Sequence, residues 1–215
     1  MLRRNMVDGV IVNSLNIGAE AYAEMGLSLV GIDCDLGETS VQIASDSYGI
    51  GELATRRLID DGCSRILCLR NNSRMRMPAN KRTDAYHDVV EQAGLPALVR
   101  EVEFVKSDDE KSAVVAKILD ENPDIDGIFA GDDTMAAICL NVMKQRGLSA
   151  PGDIKVVGAD GARRTMTFMP DLTTVRQDID RIGELAAQSI IALVNGEKPE
   201  SNTKLPVELI EGKTA

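Results

Sequence analysis

The sequence predicts an α/β fold with parallel sheets flanked by helices, and three observations carry that expectation. Short apolar runs rich in β-branched residues alternate with segments of helical spacing along the chain. Polar residues gather where the runs end, as they do at the carboxyl edge of a parallel sheet. The 215 residues contain no repeat of about 20–50 residues and no Pro/Gly/Ser linker, so a second lobe has to share the chain through crossovers.

In order, the runs predict strands over 7–12, 29–33, 41–44, 65–69, 99–104, 127–130 and 155–158. Helices are predicted over 19–25, 48–61, 82–92, 111–120 and 133–146, so that strand and helix alternate as βαβ units do. A last helix follows, in which Ile179, Ile182, Ala186, Ile190 and Leu193 fall on one stripe. Local stop and start signals agree. Ser107 and Glu110 have the spacing of a capping box, and Gly94 and Gly147 follow helices as carboxyl-terminal stops.

Composition narrows the function. With 44% hydrophobic and 27% charged residues the chain has enough apolar surface to pack a core. Its 24 basic and 34 acidic residues give a formal charge of −10, spread along the chain, so these residues should not bind DNA unaided. There is no run long and apolar enough for a membrane span and no signal-peptide core near the start. The expected location is the cytoplasm, with no membrane contact. Cys34, Cys63, Cys68 and Cys139 form no C-x-x-C pair and three sit in or beside apolar runs, which reads as small buried hydrophobes in a reducing compartment.

Several motifs resemble active chemistry and fail on context. Gly49-Ile50-Gly51-Glu52-Leu53-Ala54 matches the dinucleotide fingerprint, but it lies inside a helix and the next strand ends on Arg70 with no acidic residue for a ribose. The run from Asn122 to Asp133 spaces its oxygens like a calcium loop, but Pro123 and the apolar Ile128-Phe129-Ala130 turn its second half into a strand, and the bidentate glutamate is missing. His87 has no nucleophile placed near it by any motif and reads as a solvent-facing helix residue. No cofactor, metal or catalytic set is expected.

The polar residues at predicted strand ends carry more. Asp33 and Asp35 end one strand, Arg70 to Ser73 including Asn72 another, Asp132 and Asp133 a third, and Asp160 a fourth. Open α/β sheets bind ligands beyond those ends, and carboxylates with an arginine suit the hydroxyl pairs of a polyol. The competing reading is that such residues are helix caps and turn formers.

Longer motifs then agree in register. Pro123-Asp124-Ile125-Asp126-Gly127-Ile128-Phe129-Ala130-Gly131-Asp132-Asp133-Thr134-Met135-Ala136 resembles the LacI/GalR stretch "pDAIFAANDxMA". Arg146-Gly147-Leu148 with Pro151 through Asp160 is similar to "RGLrvPeDvsVvGfDd", and Pro170 through Gln177 to "PpLTTVrQ". Arg82-Thr83-Asp84-Ala85-Tyr86 corresponds to "RxxGF" and Leu205 through Leu209 to "LPxEL". The resemblance spans essentially the whole chain.

It implies a two-lobed periplasmic-binding-protein-like type I fold with a small-molecule effector, sugar-like in the sense of a sugar or sugar derivative, in the cleft. One lobe is expected to take residues 1–62 plus about 177–202, incomplete for want of its first strands, and the other about 63–176 plus 203–215. The family's cleft arginine falls on Arg82, its "AND" asparagine on Asp132, its cleft aspartate on Asp160 and its hinge glutamine on Gln177. Asp35 and Asn72 join them as expected ligand contacts. Asp132 replaces an amide by an acceptor-only carboxylate, Gly161 stands where a second aspartate is usual, and Ala85 stands for glycine. The stretch 70–79 is unusually basic, suited either to an anionic effector such as a sugar phosphate or to solvent.

The resemblance also implies a helix-turn-helix head and several strands ahead of residue 7, absent from these residues, so that operator DNA would be reached only through that head, in a homodimer. Without its neighbours the strand over 7–12 is expected to leave an apolar sheet edge. The function implied is the effector-sensing core of a transcription regulator, not an enzyme. A second reading on the same fold is an extracytoplasmic sugar-binding protein of a transporter.

Overall fold

The computed structural model describes residues 7–13, 26–34, 36, 40–72, 78–103 and 105–215, with the backbone alone at 71 and 72. Two compact units result. The first comprises Met1–Ser47, Met75–Ala79 and Asp178–Pro206, the second Tyr48–Arg74, Asn80–Gln177 and Val207–Ala215.

In the first unit, β1 (Gly9–Val12), β2 (Ser28–Ile32), β3 (Val41–Ser45) and β9 (Asn202–Leu205) form a sheet in that order, every neighbouring pair parallel. The period-2 alternation of a strand sends Leu29 to one face, with Val12, Cys34 and Leu36, and Val30 to the other, with Ile43 and the helix Ile179–Val194. That helix buries Ile182 and Ala186 and packs Ile190 and Leu193 against the sheet, as its stripe predicts, whereas Ile179 in the first turn is exposed. Among the described residues β1 is the sheet's edge, and its Ile11 is 43% exposed. The predicted helix 19–25 lies outside the described residues.

In the second unit, β4 (Ile66–Asn72), β5 (Leu98–Glu103), β6 (Gly127–Ala130), β7 (Lys155–Asp160), β8 (Thr173–Gln177) and β10 (Val207–Ile210) form a sheet ordered β10-β8-β7-β6-β4-β5. Only the β10–β8 pair is antiparallel. One face carries α1 (Ser47–Asp60) and α2 (Lys81–Gln92), with Ile50, Leu58, Tyr86 and Val90 packed on Ile66, Cys68 and Phe129. The other carries α3 (Asp108–Glu121) and α4 (Asp133–Gln145), with Val115, Leu119, Cys139 and Val142 on Leu67, Leu69 and Ile128. Strands buried on both faces explain why these runs are nearly continuous in apolar residues rather than alternating. A short helix, α5 (Arg163–Phe168), follows β7, and the helix Ile179–Val194 of the first unit is α6.

The expected lobe boundaries need correction at two places. Helix α1, placed by sequence with residues 1–62, belongs to the second unit, because Ile50, Ala54 and Leu58 are wholly buried in that unit's core. Strand β9, placed by sequence partly in the other lobe, pairs with β3 in the first. Local signals hold up better. Ser107 caps α3 in a complete capping box, and Gly94 and Gly147 take φ of +69° and +74° at helix ends.

Tyr86 ties the second unit together. Its buried hydroxyl donates to the carbonyl of Ile66 at 2.7 Å and accepts from the N–H of Leu98 at 2.8 Å, pinning α2 to the starts of β4 and β5. Tyr86→Phe leaves both backbone groups unsatisfied and is expected to destabilise by about 2 kcal/mol. Urea unfolding measures it, and an unchanged midpoint would show that water replaces the hydroxyl.

Candidate functional site

The carboxyl ends of β6, β7 and β8 and the first turn of α2 meet in one polar cluster within the second unit. Arg82, on that first turn, donates from Nη1 to the Gly131 carbonyl just past β6 at 2.6 Å and from Nη2 to Asp160 Oδ1 at 3.1 Å. Gln177 Nε2, at the end of β8, donates to the same Oδ1 at 2.6 Å. Three of the predicted ligand contacts are thus bonded to one another. Asp160 Oδ2 takes part in no described hydrogen bond, and the buried Nε of Arg82 has no partner among the described residues.

Helix packing sets Arg82 in place. A Cβ on Gly51 of α1 would lie 2.1 Å from the carbonyl oxygen of Arg82, so only glycine permits the approach of α1 to α2. The fingerprint glycine noted in the sequence therefore serves helix packing. Asp160 itself has φ of +110° and is followed by Gly161 at φ +57°, a backbone that a non-glycine residue adopts only under constraint. Burial pushes the Asp160 carboxyl up, the nearby Asp132 adds to the rise, and Arg82 and Gln177 oppose it.

Asp132 is placed beside this group but is already engaged. Its Oδ1 accepts the Met135 N–H at 2.7 Å as the N-cap of α4, the cap reading that competes with ligand binding at strand ends. Asp35 lies outside the described residues. Asn72 ends β4, opposite Glu103, and its side chain is outside them too, as are residues 73–77 of the basic stretch. Arg70, at its start, is paired with Glu101. Asp33 turns with φ +48° and accepts the Ser45 N–H at 3.1 Å, closing β2 onto β3 in the first unit.

Sequence reasoning missed the role of Asp133. It is the one buried carboxylate among the described residues, accepting from Thr174 Oγ1 at 2.6 Å and from the Gly161 N–H at 2.9 Å. Burial pushes its carboxyl up to about 6, against those two hydrogen bonds, with Asp160 and Asp132 adding to the rise. No sequence signal separates it from the cap residue next to it, since both are strand-end aspartates.

The calcium-like run is explained by turn bonding. Asp126 accepts from the backbone N–H groups of Ser64 and Arg65, each at 2.8 Å. The cysteines are buried, and burial pushes the thiols of Cys63 up to about 11 and of Cys68 and Cys139 up to about 12, well above those of reactive thiolates. His87 is exposed on α2.

The sequence profile of the periplasmic binding protein-like domain matches residues 55–215. A sucrose operon repressor of Pediococcus pentosaceus is 32% identical over 217 residues, covering 100% of this chain and 66% of the relative. A ribose operon repressor of Halalkalibacterium halodurans is 30% identical, over 99% of this chain and 64% of the relative. Among solved structures, a cellobiose complex of the transcriptional regulator CelR superposes with a TM-score of 0.87 at 28% identity, covering all of this chain and 68% of that one. The chain thus spans about two thirds of the length of these proteins. With the fold and the matched profile in agreement, the chain belongs to the periplasmic binding protein-like domain family, alongside LacI-type repressors of sugar operons.

Proposed function

We propose that the chain is the effector-sensing core of a LacI/GalR-type transcription regulator, taking a small sugar or sugar derivative at the Arg82–Asp160–Gln177 cluster. One observation carries this: at the strand ends of an α/β sheet, Arg82 and Gln177 converge on one oxygen of Asp160, whose other oxygen takes part in no described hydrogen bond. A carboxylate held with a guanidinium and an amide can accept from and donate to the hydroxyls of a polyol.

Gln177 supports a signalling role. It binds Asp160 and is the last residue before the chain passes into the first unit at Asp178. An effector that engages Asp160 competes for or reinforces the Gln177 bond, and so acts on a crossover, where a differential contact can shift a two-state equilibrium. DNA binding would belong to another part of a longer protein, because a charge of −10 repels phosphates. A homodimer in the cytoplasm completes the reading. The repressor names of its relatives support a regulator rather than a transport protein or an enzyme.

Thermal shift and calorimetry with sucrose, D-ribose, cellobiose and phosphorylated sugars test this, since a ligand bound only by the folded state raises stability with occupancy. At least one of these is expected to bind. Arg82→Ala and Asp160→Ala are each expected to weaken it by more than about tenfold, or roughly 1.4 kcal/mol. Unchanged affinity in both variants would remove the cluster from the site.

A further inference from the structure

Asp133 is buried beside the cluster, yet none of its described bonds reaches Arg82 or Gln177. Instead its two oxygens join two strands. Oδ1 accepts from the wholly buried Thr174 Oγ1 on β8, and Oδ2 from the Gly161 N–H just past β7. Room for the carboxylate exists because residue 158 is glycine, where a Cβ would sit 2.5 Å from Asp133 Oδ1.

The bond to Gly161 matters through the peptide it fixes. That N–H belongs to the peptide plane joining Asp160 to Gly161, so holding it holds the ψ of Asp160. Asp160 already has φ of +110°, and such a conformation persists only where surroundings over-determine it. The direction in which the Asp160 side chain leaves the backbone follows from those two angles.

We propose that Asp133 is the positioning residue of the effector site: its buried carboxylate clamps the Asp160–Gly161 peptide and so aims the Asp160 carboxylate at Arg82 and Gln177, without touching the ligand. What Asp160 is aimed for rests on the function proposed above. The clamp itself rests on geometry. The charged groups facing Asp133 are Asp132 at the start of its own helix and Asp160 from β7, the latter paired with Arg82 from α2. Strand β8 presents Thr174, while Arg176 of that strand is paired with Glu208.

The test uses the 215-residue chain, comparing wild type with Asp133→Ala, Asp133→Asn and Thr174→Val by NMR. In the alanine variant the Gly161 amide is expected to exchange at least about tenfold faster while amides in the middle of β7 keep their protection. Asparagine can offer its oxygen to the Gly161 N–H and its amide to the Thr174 hydroxyl, so it should restore Gly161 protection to within about threefold of wild type. If the alanine variant does not fold, Thr174→Val, which removes only the hydroxyl that donates to Asp133 Oδ1 and should also speed Gly161 exchange, decides the matter. Unaltered Gly161 exchange in the alanine and valine variants, or an asparagine variant whose Gly161 exchanges as fast as in alanine, overturns the clamp.

Calorimetry with D-ribose, sucrose and cellobiose gives a separate arm. The alanine variant should bind whichever sugar the wild type binds at least about tenfold more weakly and the asparagine variant within about threefold of wild type. Failure of all three sugars to bind wild type would count against the effector reading alone, because exchange is read without ligand.

Discussion

Gly51→Ala is expected to destabilise the second unit by about 3 kcal/mol, the upper range for overpacking a well-filled core. Helix propensity favours alanine over glycine by about 1 kcal/mol, so the sign depends on the overlap. The added Cβ would lie 2.1 Å from the Arg82 carbonyl oxygen and 2.8 Å from its carbon, and a backbone cannot turn aside as a side-chain tip can. Helix α1 would have to move from α2, opening the core that Ile50, Leu58 and Tyr86 share. Arg82 would move with its helix, so sugar affinity should fall along with stability. Gly183→Ala is the control. Gly183 lies on the exposed side of α6 with nothing within 4 Å of an added Cβ, so that variant should be stabilised by about 0.5–1 kcal/mol. Urea unfolding of both decides it, and a Gly51→Ala protein as stable as wild type would show that the two helices have slack.

Asp133 should make wild type lose stability as pH rises through the weakly acidic range, relative to Asp133→Asn. Its carboxyl is raised from 3.8 to about 6 in the folded chain, so between those values the folded state holds a proton that the unfolded state has released. Stability from that proton is fully present below about pH 4 and lost as pH passes through 6, amounting to about 3 kcal/mol from the size of the shift. The asparagine variant has no such proton, so its stability relative to wild type should improve by about that amount between pH 4 and pH 7. Carboxyls that are lowered by their caps, such as Glu110 and Asp153, bend the profile the other way in both proteins and cancel in the difference. A difference curve flat in pH would mean that Asp133 stays ionised throughout.

The elements were legible because their signals are local. The capping box at Ser107 and Glu110, the glycine stops at Gly94 and Gly147 and the apolar runs of β4, β6 and β7 each act within a few residues of chain. The strand-end aspartates and Arg82 were also visible, because a parallel sheet puts the ends of its strands on one edge whatever the loops do. The register of the family motifs supplied Gln177. Boundaries moved by a residue or a few, and α5 with its neighbour β8 was not read as a pair of elements, since six helical residues carry too short a pattern to count.

What the sequence by itself determined is therefore the order of strands and helices, the acidic surface and the presence of a polar edge carrying Arg82, Asp160 and Gln177. Tertiary structure decided which neighbours those residues meet. Asp132 and Asp133 are adjacent and chemically identical, yet one is half-buried and caps a helix and the other is buried between β7 and β8, because a helix start rotates successive side chains by about 100°. Helix α1 joined the second unit because Ile50 and Leu58 found Phe129 across more than 70 residues of chain, and Gly51 was fixed by a carbonyl on another helix. Such contacts are made by surfaces, and a surface exists only after the chain has folded back on itself, so no window of neighbouring residues contains it.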